Sequence, residues 1–162
     1  MSLDLISLKR IDLLHPDFKD EALAIYNAIC KALSGKAVCR FTHTLRTYKE
    51  QNDLYALGRT KPGKVVTWSK GGFSYHNFGM AIDICLIING KEASWDTIKD
   101  FDGDGISDWI EIVNIFKKYK WEWGGNWPKN KKDMPHFQKT LGYSTAELRL
   151  KKFNGVYPIL TK

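Results

Sequence analysis

The sequence predicts an α+β fold: a small, mostly antiparallel sheet with helices packed on one side. Apolar residues at Phe18, Ala22, Ile25, Ile29 and Leu33 recur at three- and four-residue steps, the spacing of an amphipathic helix. Met80 to Ile88 is instead almost continuously apolar and partly β-branched, the pattern of a buried strand. With 162 residues, 43% hydrophobic and 13% aromatic, the chain has material for one good core and little for a second. Residues 1–162 are therefore read as one domain, with 144–162 as a C-terminal extension.

His15-Pro16-Asp17 is a turn in which Asp17 is placed to cap the first helix, and Ser34-Gly35 ends that helix. Ala37 to Leu45 reads as a strand that delivers Arg46 at its end. Thr47 caps a second helix through Tyr48, Leu54, Tyr55 and Leu57 to Gly58, with Gln51 on it. Lys61 to Lys64 is a loop, Val65 to Trp68 a short strand, and Lys70-Gly71-Gly72 a flexible lead-in to the next segment. In the Met80–Ile88 strand, alternation sets Ala81, Asp83, Cys85 and Ile87 on one face and Met80, Ile82, Ile84 and Leu86 on the other. Asp108 through Ile112, Ile115 and Phe116 to Tyr119 is a further helix. Trp121 and Trp123 fit a strand whose end puts Trp127 in position to line a substrate groove. Asn126 to Lys132 is a basic loop, Phe137 begins a short strand, and Ser144 caps a last small helix through Leu148. The basic tail from Lys151 to Lys162 either docks on the domain or contacts a partner.

The chemistry gathers in Ser74–Asp83 and Asp133–His136. A carboxylate in an apolar strand is costly to bury unless it is paired or metal-bound, and Gly79 permits a turn that folds His76 back towards Asp83. His76, Asp83 and His136 are of the types that bind zinc, and three protein ligands leave the open position that a catalytic zinc needs. Asp133, three residues before His136, suits a general base beside the metal. Ser74 is either a turn cap or a hydrogen-bond partner of the metal shell or the substrate. These residues point to a metal-dependent hydrolase.

Ser-x-His-x-x-Gly-x-Ala-x-Asp (74–83) followed by Asp-x-Pro-His (133–136) resembles the signature of the LAS-type zinc peptidases of the cell wall. That family holds D-alanyl-D-alanine carboxypeptidases and dipeptidases and phage L-alanyl-D-glutamate endopeptidases. The resemblance runs from about Phe41 to Phe137 and takes in Leu45-Arg46-Thr47, Gln51, Leu54 to Arg59 and Trp123-Gly124-Gly125. It implies a Hedgehog/DD-peptidase-like architecture with zinc on His76, Asp83 and His136, Asp133 as catalytic base, and Arg46 contacting substrate or the developing oxyanion. Gln51, Ser74 and Trp127 join Arg46 as candidate substrate contacts, Gln51 with an exposed or structural hydrogen-bonding role as its alternative. The carboxypeptidase branch usually has Glu where this chain has Asp133. The shorter acid resembles the endopeptidase branch and favours a peptidoglycan hydrolase, endolysin-like, that cleaves between L-Ala and D-Glu. The alternatives are a D-alanyl-D-alanine carboxypeptidase and a non-catalytic wall-binding module, and retention of Asp133 argues against the latter.

Asp100, Asp102, Asp104, Asp108 and Glu111 occupy positions one, three, five, nine and twelve of a loop with Gly105 at six and Ile106 at seven, matching a calcium-binding template. Ser107 stands where an aliphatic residue is usual, and no strong helix precedes the loop. Two readings are open: a stabilising calcium site, or an Asp/Gly turn that caps the following helix.

A net charge of +7 implies attraction to polyanions, among them a wall rich in carboxylate and phosphate. No phosphate-cradling or base-reading motif supports a nucleic-acid partner. Cys30, Cys39 and Cys85 show no CxxC spacing and read as free thiols of a reducing cytosol, Cys85 as a core residue. Met1 to Leu14 has neither the apolar run nor the cleavage site of a secretory signal, and no window is apolar enough for a transmembrane helix. The expectation is a monomer made in the cytoplasm of a host bacterium, without stable membrane insertion, acting on bacterial peptidoglycan after release.

Overall fold

The computed structural model describes residues 3–161. Helix α1 (Leu5–Asp12), absent from the sequence prediction, begins at Asp4, whose carboxylate accepts from the Ser7 backbone and hydroxyl. Helix α2 (Lys19–Ala32) buries Ala22, Ile25 and Ile29 of the predicted stripe, with Phe18 and Leu33 buried at its two ends, and adds Tyr26, which the stripe does not include. Its entry differs from expectation. Asp17 does not cap α2, which starts without a side-chain cap; His15 caps the 3-10 turn at Pro16–Phe18 that precedes it, its Nδ1 accepting the Asp17 N–H at 3.1 Å. Pro16 suits that turn because it brings a preset φ and no N–H to satisfy.

Strand β1 (Ala37–His43) leads to helix α3 (Tyr48–Ala56), whose capping box joins Thr47 and Glu50 reciprocally. Val65 to Trp68 is not the strand expected. The segment pairs with no strand and leaves Val66 and Trp68 59% and 78% exposed, so its β-forming residues lack the partner that would make them a ladder. Strand β2 (Ala81–Ile88) turns at Asn89-Gly90 into the short strand β3 (Glu92–Ser94). Helix α4 (Asp108–Lys118), strands β4 (Glu122–Trp123) and β5 (His136–Gln138), helix α5 (Thr145–Arg149) and a hairpin of β6 (Phe153–Asn154) and β7 (Tyr157–Pro158) complete the chain.

Strand β2 is the centre of an antiparallel sheet. Strand β1 runs along one edge, β3 and β5 share the other, and β4 lies outside β5. Ile82 pairs with Phe137 and Phe137 with Trp123, and this row joins the core with Met80, Ile84, Leu86 and the buried faces of α2 and α4. Phe116 of α4 stacks on Phe137 with centroids 4.0 Å apart. Because strand side chains alternate, the neighbouring rows belong to the opposite face of the sheet. Those rows hold Asp83 with His136, and Ala81 with Gln138 and Glu122. A bulge between Phe41 and His43 brings His43 opposite Asp83.

The C-terminal hairpin docks on the N-terminal segment. Tyr157 donates its hydroxyl to Leu13 O at 2.8 Å, and His15 Nε2 donates to Pro158 O at 2.7 Å. Gly79 lies between them. It ends the 3-10 turn Tyr75–Phe78 at φ +68°, and a Cβ there would sit 2.5 Å from the His15 backbone N and 3.0 Å from the Tyr157 ring. Both the conformation and the space exclude a side chain. Gly79→Ala is expected to cost at least about 1–2 kcal/mol from the left-handed backbone alone, seen as a lower Tm. An unchanged Tm would show that the turn relaxes.

Candidate metal centre

Each of the three predicted metal ligands arrives by a different route. Asp83 projects from the central strand, His136 from its register partner on β5, and His76 from the 3-10 turn that Gly79 closes. Ser74 starts that turn, its hydroxyl accepting from the His76 N–H, and Asn77 donates its side-chain N–H to the Arg46 carbonyl. The convergence is tight. His76 Nε2 lies 3.1 Å, and His136 Nδ1 3.0 Å, from Asp83 Oδ1. Donors sharing one tetrahedral ion at zinc distances sit about 3.4 Å apart.

The outer hydrogen bonds decide which ring nitrogens carry protons. His76 Nδ1 lies 2.7 Å from Thr44 O, which can only accept, so Nδ1 donates and Nε2 is left as a bare lone pair. That Nε2 is buried with no hydrogen-bond partner despite its closeness to Asp83, because two acceptors make no hydrogen bond. Glu122 Oε2 accepts from Gln138 Nε2 at 3.1 Å, which turns the Gln138 carbonyl oxygen towards His136 Nε2 at 2.9 Å. His136 therefore presents Nδ1 to Asp83. Three electron-pair donors face one point, and only a metal, or a proton standing in for it, resolves their repulsion. The residues fit zinc, with the partnered outer nitrogens that zinc-binding histidines require.

Burial pushes Asp83 towards neutrality, but when a proton stands in for the metal the His76 and His136 imidazoles at its carboxylate outweigh burial and hold its pKa well below the usual carboxylate range. Asp133 lines the same cleft, a cavity of about 760 Å³. Its pKa is raised, by burial first and by the Asp83 charge second. Gly124 allows this placement. Its backbone meets that of Asp133, where a side chain would collide, and Gly124 O accepts the Asp133 N–H at 3.1 Å. Trp123 Nε1 then pins the Met134 carbonyl at 2.8 Å.

Arg46 lines the cleft with its guanidinium 3.8 Å from Asp83 Oδ2. Of the readings open for Gln51, the structure favours the structural hydrogen-bonder: it is fully buried and outside the cleft lining, neither exposed nor at the substrate. Its Oε1 accepts from Arg46 at 3.0 Å while its amide donates to Ser69 O at 2.6 Å, so it positions Arg46. Ser74 lines the cleft but spends its hydroxyl on the turn. Trp127 lies against the His136 ring at 5.2 Å and donates to Glu122. Cys85 has no histidine partner in this centre, and burial raises its thiol pKa. The calcium-template acids form a separate group on the approach to α4.

Thr44, Glu122, Gln138 and His43 were not picked out from the sequence. Gln138 had a usable signal, since two residues beyond His136 on a strand is the same face. Thr44 acts through its carbonyl, which no side chain advertises. His43 lines the cleft through a bulge, a local irregularity that alternation does not foresee.

Burial pushes the His136 pKa down, but the hydrogen bond and charge of Asp83 more than offset this, and the net shift is upward. A metal must displace the proton that this favours. Zinc affinity, measured by competition with a chromophoric chelator, is expected to weaken as pH falls through the raised His136 pKa, by about tenfold per pH unit once the ring is protonated. Affinity unchanged between about pH 5 and 8 would remove His136 from the ligand set.

A family model described as D-alanyl-D-alanine carboxypeptidase matches residues 67–139, the stretch holding all three converging side chains and Asp133. The chain is also 43% identical over 126 residues to the peptidoglycan L-alanyl-D-glutamate endopeptidase CwlK of Bacillus subtilis (strain 168), covering 77% of this chain and 72% of that protein. Identity this high over more than two-thirds of both proteins decides kinship: the chain belongs to the LAS-type family of zinc peptidases that its motifs resemble.

Proposed function

We propose that this protein is a zinc-dependent peptidoglycan hydrolase that cleaves the stem peptide between L-Ala and D-Glu. The observation that carries the reading is the convergence of His76, Asp83 and His136 on one point of a cleft that also holds Asp133. The bond is argued from the similarity to an L-alanyl-D-glutamate endopeptidase and from Asp, not Glu, at position 133. Hydrolysis of a terminal D-alanine is the second reading, favoured by the description of the matching family model.

His76, Asp83 and His136 would hold the zinc. When bound, it supplies Lewis acidity that polarises the scissile carbonyl and acidifies water. Asp133 takes the proton of the attacking water and passes it to the leaving amine, and its raised pKa brings it nearer the neutral range where such a base works best. Arg46, held by Gln51, balances the charge of Asp83 and offers its remaining N–H groups to the negative charge that develops on the carbonyl oxygen. Val66, Trp68 and Phe73 give the cleft an exposed apolar wall, and Lys131 and Lys132 give it a basic rim suited to the carboxylates of a stem peptide.

The three cysteines are free thiols, in keeping with synthesis in a reducing host cytosol and release to the wall at lysis, as for a phage endolysin acting as a monomer. Among the described residues no helix is long and apolar enough to cross a membrane.

Asp133→Ala is expected to keep zinc and lose about 10²–10⁴-fold in hydrolysis, whereas His136→Ala loses both. Full activity in Asp133→Ala would sink the mechanism. Mass spectrometry of sacculi digested by the zinc-loaded protein is expected to show chelator-sensitive release of peptides beginning at D-Glu. Loss of a terminal D-Ala alone would transfer the enzyme to the carboxypeptidase reading.

A further inference from the structure

The reaction leaves one group of ionisable side chains unused. Carboxylate oxygens of Asp100, Asp102 and Asp108 lie within 4.8 Å of one another, and so do those of Asp102, Asp104 and Glu111. Asp102 belongs to both groups, so five acids surround one small region. Among the described residues no Lys, Arg or His forms an ion pair with any of them, in a chain whose net charge is +7.

The cluster is not simply a solvated turn. Asp108 is 0% exposed; its Oδ1 accepts the Phe101 N–H at 2.7 Å, while its Oδ2 is buried with no partner. Glu111 Oε2, one turn further along α4, is also buried and unpartnered. A helix-capping role does not explain these atoms, because Ser107 already caps α4 by accepting the Ile110 N–H. Burying unpaired carboxylate oxygens beside three more acids is unfavourable unless a cation joins them. The loop is also braced for that purpose. Asp100 accepts from the backbone of Gly103 and Gly105, and Asp104 from that of Ile106.

We propose that residues Asp100–Glu111 bind one calcium ion through Asp100, Asp102, Asp104, Asp108 and Glu111, with the Ile106 carbonyl as a further donor. The donor set chooses the ion. It is all oxygen, which disfavours zinc, and it is richer in carboxylates than the one or two that magnesium usually takes along with its waters. Asp104 is exposed, so the ion has an entry path.

The ion's role is structural. Ser34, just beyond α2, donates to Asp102 at 2.9 Å, and Ser107 donates to Thr97 O at 3.0 Å. Calcium thus ties the start of α4 to the end of α2, and α4 supports Phe137 beside His136 through the Phe116 stack. No residue of the loop lines the catalytic cleft, so the site is independent of the peptidase reading.

The test uses the full chain, freed of calcium with EGTA and reloaded with zinc, titrated with calcium chloride in a calorimeter and melted with and without calcium. One calcium per chain is expected, with a Tm rise of about 5–10 °C at ~100-fold excess over Kd. Both are lost in Asp104→Ala, a change at an exposed position that removes the ligand oxygen altogether, and in Glu111→Gln. Absence of heat and of any Tm shift in the parent would overturn the proposal. So would retention of calcium binding in both variants, or an equal Tm rise with magnesium.

Discussion

The antiparallel pairing of Asp83 with His136 constrains everything else in the site. In that register a carboxylate and an imidazole must share one face of the sheet, on the row next to Ile82 and Phe137, which belong to the core. A slip of one residue would send Asp83 into the apolar layer and Ile82 into the cleft. The apolar row therefore fixes the polar one. Hydrophobic burial of Ile82, Phe137 and Trp123 holds the donors at spacings that a loop could not maintain alone.

Around these donors, neutral groups do the orienting. The Thr44 carbonyl and the Gln138 amide each fix one imidazole without adding charge, and the Arg46 cation is steered by the neutral Gln51 side chain. The floor of the cleft is thus rigid and hydrogen-bonded, while its rim, with Trp68 and Lys131, is open and weakly packed. The division suits an enzyme whose substrate is a short peptide on a large polymer: fixed chemistry below, adaptable contact above.

Much of this was legible in the sequence because it rests on periodicity. The helical stripe of α2, the two faces of β2 and the strand at Phe137 follow from spacing alone, and His76, Asp83, His136 and Asp133 follow from their motif. Other features depended on partners that sequence does not reveal. Val65 to Trp68 has strand composition but no neighbour to bond, and α1 is a short helix held by Asp4, Ser7 and the Tyr26 hydroxyl. Spacing left Gln51 open between an exposed residue, a structural hydrogen-bonder and a substrate contact, and only its partners Arg46 and Ser69, which draw it into the interior, decide. Asn89-Gly90 signalled a hairpin that the exposed Glu92 and Ala93 obscured.

The C-terminal hairpin reaches the site through the N-terminal segment. His15 and Pro158 are 143 residues apart in sequence, yet their contact lies beside Gly79, which closes the turn bearing His76. Closing a loop of that length costs more chain entropy than closing a local turn. The hairpin offsets it with the Tyr157 and Pro158 contacts that clamp Leu13 and His15 against Gly79. A cut before residue 153 would leave the His76 turn without that buttress, so damage far from the cleft in sequence reaches a metal-bearing loop.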